Sequence, residues 1–205
     1  MTPQNLKYTP EIYEAGIKYL RANLSEFNKL YLKIGYIDYE VYDFNFHSLV
    51  RTIVGQQLSG KAAATILSRL TSHNANKTLT PENTVNFSLS TLMNIGLSRN
   101  KSEYILSIAQ KSIDGELQFQ AIAKLSREEC FQKLISLRGI GPWSASILMM
   151  FNLGFLDEFP ENDVTLNKAI EKYFPTLTGA VLDQKARPYR SIICLYLWRF
   201  IDDFT

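Results

Sequence analysis

Apolar residues recur along this chain at helical rather than strand spacing. Ile12, Leu20, Leu24, Phe27, Leu30 and Tyr31 fall on one face of a helix or a helical pair, which predicts helix over the first thirty-odd residues. From Phe46 the run FHSLVRTIVGQQLSGKAAATILSRL keeps that spacing, and a polar joint from Gln56 to Gly60 divides it into two helices. HNANKTLTPENTVNFS has no sustained period and reads as a connector, with short helices after it. Ser126-Arg127-Glu128-Glu129 has the form of a capping box, in which serine and glutamate side chains satisfy the amides of a helix start; it predicts a helix running to about Ser136. Near the far end, RSIICLYLWRFIDDF is apolar almost all round and should lie in the interior. With little alternation of the strand type and no internal repeat, the pattern predicts an all-α fold.

Length and composition narrow the class without naming a function. A chain of 205 residues suffices for one domain or two small, closely packed lobes, and 46% hydrophobic with 20% charged residues is ordinary for a globular protein. A net charge of +2 means that attraction to nucleic acid would come from local patches. Cys130 and Cys194 alone build neither a disulfide framework nor a four-cysteine metal cluster, and a reducing compartment is the simpler expectation. MTPQNLKYTP lacks the apolar core of a secretory signal, and no apolar run approaches the roughly 20 residues that span a bilayer. The expectation is a soluble protein, cytoplasmic and nucleoid-associated in a bacterium or nuclear in a eukaryote.

Candidate chemistry concentrates in LRGIGPWSASILMMFNLGFLDEFPENDVTLNKAI, from Leu137 to Ile170. Gly139 and Gly141 accept backbone angles that other residues resist, and Pro142 suits a first helical turn, so the stretch predicts helix, tight hairpin, helix. Amides at the start of the second helix would favour an anion such as a phosphate, gripping a nucleic-acid strand without reading its bases. For the two glycines taken alone, an ordinary glycine-capped turn between helices is the simpler reading, because helix ends use glycine routinely. Asp157, Glu158, Glu161 and Asp163 then form an acidic loop, for which metal binding is one reading. Asp163 directly precedes the helical pattern VTLNKAIEKYF and is placed to cap it, as an ordinary N-cap or as an oriented reactive carboxylate. His47 and His73 have no metal-ligand spacing and are assigned to surface or packing.

The spacing Leu134, Leu137, Gly139, Ile140, Gly141, Ala145 resembles the helix-hairpin-helix motif of DNA-binding proteins. Its continuation through Gly139-Ile140-Gly141-Pro142-Trp143, Phe159-Pro160 and Asp163 resembles the helix-hairpin-helix-GPD signature of DNA glycosylases, nearest to the alkylation-repair group, 3-methyladenine DNA glycosylase II. IVGQQLSGKAAATI from Ile53 and RPYRSIICLYLW from Arg187 extend the likeness, so that it covers about Phe46 to Trp198. The resemblance implies a two-lobed helical fold with a DNA-binding cleft between lobes. Residues 1–45 and 175–205 would form one lobe; residues 46–174 would form the other, with the hairpin at about 134–148 and the catalytic loop at 157–163.

It also implies a function: a monofunctional glycosylase that flips out alkylated purines of the 3-methyladenine and 7-methylguanine class and hydrolyses the N-glycosidic bond. Asp163 would be the catalytic carboxylate, stabilising positive charge on the sugar. A cationic alkylated purine leaves without the general acid that ordinary glycosidases need. Trp143 stands where bifunctional relatives carry a Schiff-base lysine, which implies no lyase activity at abasic sites. Its indole would stack on a cationic base, gaining on the order of 0.5–2 kcal/mol, or would be a core side chain. By the same resemblance Gln57 is the wedge and Gln56 a helper in the base pocket, although both amides would serve as helix caps. Leu58, Gly139, Gly141, Trp143, Ser144, Arg187 and Arg190 are further candidate DNA contacts; Arg187, Tyr189, Arg190 and Ser191 would supply phosphate contacts or support the pocket, and a solvated helix start is the alternative there. Trp198 is assigned to the core. Backbone carbonyls of Ile135, Leu137 and Ile140 would hold K+ or Na+ at the hairpin; no other cofactor and no iron–sulfur cluster is expected. The expected partner is double-stranded DNA with damaged bases, bound by a monomer away from membranes. The rival reading is a helix-hairpin-helix module that binds lesions without turnover.

Overall fold

The computed structural model describes residues 5–73, 78–175 and 179–204, so residues 74–77 of the expected connector lie outside the described residues. In chain order the helices are α1 (Pro10–Asn23), α2 (Ser25–Ile34), α3 (Phe46–Gly55), α4 (Gly60–Ser72), α5 (Pro81–Thr84), α6 (Leu89–Ile95), α7 (Arg99–Ile113), α8 (Phe119–Ile122), α9 (Arg127–Ile135), α10 (Pro142–Phe151), α11 (Val164–Tyr173), α12 (Gly179–Ala186) and α13 (Arg190–Phe204). Among the described residues the only extended pairing is an isolated antiparallel bridge between Lys7 and Phe155. The fold is all-α.

Local chemistry sets most helix starts. Thr9, Asn45, Ser59, Thr80, Ser88, Ser98, Ser126 and Asp163 each cap a helix by accepting an amide of its first turn. At Ser126 the capping box is complete, and α9 ends at Ile135 with Ser136 as its C-cap.

The chain divides into two compact units, residues 1–42 with 149–205, and residues 43–148. The central unit is organised around α7, against which α3, α5 and α6 pack; Leu49, Ile53, Leu92, Ile105 and Leu134 are buried there. In the terminal unit α13 packs against α1, α2, α11 and α12. Its Ile192, Ile193, Cys194, Tyr196, Leu197 and Phe200 are almost fully buried, as an all-round apolar helix requires. A side chain at Gly16 of α1 would meet Ile192 at 2.5 Å and the Tyr189 ring at 2.6 Å, so glycine here permits the close approach of α1 to the start of α13. The non-helical segment after α2 is held by buried tyrosines: Tyr13 donates to the Ile37 carbonyl (2.9 Å), Tyr39 to Met150 (2.5 Å) and Tyr196 to Gly35 (3.1 Å). Burial pushes the Tyr196 hydroxyl up to about 12, and those of Tyr13 and Tyr39 higher still.

Residues 149–174 therefore belong with the termini rather than with the central unit expected for 46–174. The reason is packing: Leu166, Ala169, Ile170 and Phe174 of α11 and the following turn join the same apolar cluster as α1, α2 and α13.

Candidate active site and nucleic-acid interface

The reactive candidate, Asp163, lies in the terminal unit at the start of α11 and is 8% exposed. Its Oδ1 accepts the Leu166 amide at 2.8 Å, the bond of an N-cap, and the Trp198 indole N–H at 3.3 Å. Both donors converge on Oδ1 and anchor it at the start of α11. Trp198 is only half-buried: it packs against the apolar cluster and lies beside Phe151, with ring centroids 6.1 Å apart. Its assignment to the core thus holds for one part of the ring and misses the indole N–H, a polar handle that a tryptophan in this setting must satisfy. Asn162, at φ +60°, turns the chain immediately before Asp163.

The loop leading to Asp163 is anchored on α13. Ser191 donates to the Phe155 carbonyl and accepts the Glu158 amide, both at 2.9 Å. Arg190 donates through Nε to Asp157 Oδ1 at 2.7 Å, through Nη2 to the Asp157 carbonyl at 2.5 Å, and through Nη1 to Asp183 Oδ1 at 2.6 Å. Burial alone would lower the guanidinium pKa, but the hydrogen bonds to Asp157 and Asp183 carry the balance upward. Arg190 was expected among DNA contacts; the structure buries it and commits it to two aspartates, so it holds the loop. Arg187 is about half exposed and pairs with Asp183 (3.2 Å) and Asp157 (3.5 Å). Ser191 is fully buried, and Tyr189 packs over Gly16. Among the described residues no three His, Cys, Asp or Glu side chains gather as a metal site. Of the acidic loop, Asp157 is engaged by Arg190, Glu158 is buried and Glu161 is exposed.

The second group of candidates lies in the central unit. Between α9 and α10 the hairpin is closed by the Leu137 amide on Leu134 O (3.1 Å) and the Ile140 amide on Leu137 O (2.9 Å), with Leu137 and Ile140 buried as its apolar anchors. Gly139 has φ +94°, and a Cβ there would lie 2.3 Å from the Tyr104 ring, so both backbone and packing demand glycine. Gly141 corrects the expectation for the pair. Its φ is not positive, it is exposed, and a Cβ would meet nothing within 4 Å. Pro142 opens α10, whose ladder begins with the Ala145 amide on Gly141 O at 2.9 Å.

Gln56 ties the α3–α4 joint to this hairpin. Its Nε2 donates to Gly139 O at 2.7 Å and to Ser144 Oγ at 3.0 Å, which uses both amide hydrogens. That bears on two expectations: both N–H groups of the Gln56 side chain are spent on the hairpin, and Ser144, only 3% exposed, turns its hydroxyl inward to receive one of them. Gln57 is exposed with φ +55°, a left-handed conformation rare outside glycine, and Leu58 beside it is 40% exposed. Trp143 is half-buried. A residue that no sequence signal marked is Lys101 of α7, whose ammonium donates to the carbonyls of Val54 (2.9 Å) and Gln56 (2.6 Å). Desolvation lowers its pKa.

Residues 50–183 match the model of the HhH-GPD superfamily base excision DNA repair proteins. This chain belongs to that superfamily. It is 29% identical over 178 residues to YfjP of Bacillus subtilis, an alignment covering 81% of this chain but only 61% of that relative's length. Among solved structures it is similar to a DNA-3-methyladenine glycosidase of Bacillus halodurans, with 31% identity, TM-score 0.78, and 96% and 91% of the two chains covered. It is also similar to the 3-methyladenine DNA glycosylase Mag1 of Schizosaccharomyces pombe, solved in complex with abasic DNA, with 25% identity, TM-score 0.84, and 93% and 99% coverage. Among the described residues no helix of this HhH-GPD protein is long and apolar enough to cross a membrane.

Proposed function

We propose that this HhH-GPD protein is a monofunctional DNA glycosylase for alkylated purines. The observation that carries the reading is Asp163: a carboxylate held at the N-terminus of α11 by the Leu166 amide and the Trp198 indole, in a chain of this superfamily. Breaking the bond between base and deoxyribose leaves positive charge on the sugar, and a fixed carboxylate lowers the barrier because it needs no reorientation as that charge develops. An N3- or N7-alkylated purine already carries its positive charge and departs without a general acid. Water, positioned by Asp163, is the nucleophile. Trp143 offers no amine, so no Schiff base with the sugar forms at that position and the product is an intact abasic site.

Duplex is held at the hairpin. Nothing inside the protein requires glycine at Gly141, whereas a backbone phosphate resting on the start of α10 would. The carbonyls of Ile135, Leu137 and Ile140 are the groups that would hold a monovalent cation there. Leu137 O already accepts the Ile140 amide, and its second lone pair remains open to an ion. Such an ion would add positive charge beside the phosphate.

The deciding experiment incubates the protein with duplex containing 3-methyladenine or 7-methylguanine and measures free base. Release without a borohydride-trappable protein–DNA adduct is expected. Binding without release would leave a lesion-binding module instead, and a trapped adduct would make it a lyase.

A further inference from the structure

The α3–α4 joint is held in an unfavourable conformation by a residue far away in sequence. Gln57 sits in the left-handed region without being glycine, so its geometry must be imposed by neighbours. The joint's own backbone bonds are long: the Gln56 amide on Ile53 O at 3.3 Å and the Leu58 amide on Gly55 O at 3.2 Å. Lys101 supplies shorter, charge-assisted bonds to the carbonyls of Val54 and Gln56, at 2.9 and 2.6 Å. The Gln56 carbonyl belongs to the peptide plane that also carries the Gln57 nitrogen, so pinning that oxygen restrains φ of Gln57. A cation at the C-terminal end of α3 also opposes the negative end of the helix dipole. On the other side of the same residue, the Gln56 side chain grips Gly139 O and Ser144 Oγ of the hairpin.

The exposed tip, Gln57 and Leu58, is thus fastened both to the hairpin and to α7. We propose that Lys101 is a positioning residue for base extrusion: it holds the joint so that Gln57 and Leu58 enter the duplex as a rigid wedge. The proposal rests on the glycosylase reading above. Filling the gap left by an extruded base matters where the lesion is paired and stacked, and matters little where it is already unpaired.

Single-turnover release of 7-methylguanine is therefore measured from two duplexes, the lesion opposite cytosine and opposite an abasic site, for the wild type, Lys101→Met and Lys101→Arg. Lys101→Met should lose about tenfold on the paired substrate and less than about twofold on the unpaired one. Lys101→Arg should recover most of the paired rate, because a guanidinium also donates to two carbonyls. Equal losses on both substrates would mean that Lys101 serves only general stability, and would overturn the proposal. Amide exchange at Gln57 and Leu58 in the free protein separates this failure from that of the glycosylase reading. If the wild type releases no base from either duplex, the glycosylase reading falls. Faster exchange in Lys101→Met would then still support the pin, and unchanged exchange would overturn it.

Discussion

Asp163 caps α11 and, on the glycosylase proposal, also stabilises charge on the sugar, and substitution separates the two roles. Asparagine caps a helix as well as aspartate does, so Asp163→Asn should keep the Leu166 amide satisfied and leave the thermal midpoint nearly unchanged. It removes the negative charge, and base release should fall by at least about a hundredfold. An unchanged release rate would take Asp163 out of the mechanism. Trp198→Phe keeps the ring against the apolar cluster but deletes the N–H that reaches Oδ1, and should slow release about tenfold with little loss of stability. Wild-type rates in that variant would assign the orientation of the carboxylate to the N-cap alone. At this scale the sequence was legible where chemistry is local. Asp163 stands directly before its own helix, so the cap could be foreseen, whereas Trp198 lies 35 residues away and its hydrogen bond exists only once α13 has packed against α11. Arg190 misled for the same reason: an arginine at a helix start reads as a phosphate ligand until Asp157 and Asp183 are brought beside it.

At the level of the hairpin, two glycines that look alike in sequence have different requirements. Gly139→Ala forces a side chain into φ +94° and against the Tyr104 ring, and should cost about 1–3 kcal/mol in urea unfolding. Gly141→Ala meets no neighbour within 4 Å and should change stability by less than about 0.5 kcal/mol while weakening binding of duplex DNA. Loss of stability in Gly141→Ala, or unaltered DNA affinity, would contradict the placement of a phosphate at the start of α10. The helices themselves were largely readable: the Ser126 capping box starts α9, and the polar joint at Gln56–Gly60 separates α3 from α4. What the pattern could not supply was the joint's tether. A lysine on α7 carries no mark that it will reach the end of α3, 45 residues back in the chain.

For the whole chain, the helical class followed from periodicity, because helical spacing is a local signal that survives in every segment. The division into units did not, since the acidic loop and α11 are continuous in sequence with the hairpin yet place Leu166, Ala169 and Ile170 in the core built by α1, α2 and α13. One property depends on many elements at once. Hydrogen bonds at helix starts lower the pKa of Glu11 (α1, chiefly through Thr9), Glu26 (α2, its own backbone amide and Ser25), Glu82 (α5, its own backbone amide and Thr80) and Glu129 (α9, Ser126). A carboxylate whose folded pKa lies below its unfolded value contributes stability above the unfolded value of 4.5, and the contribution disappears as pH falls through the lowered folded values. The unfolded chain takes up protons first, so stability must fall with acid. The urea midpoint should therefore be flat from about pH 8 to about pH 6 and decline steadily from about pH 5 to about pH 3. Replacing all four by glutamine leaves each helix start without its titrating group, and should flatten that decline while lowering the midpoint at neutral pH. A decline of undiminished steepness in the fourfold variant would show that the helix-start carboxylates do not carry the acid sensitivity.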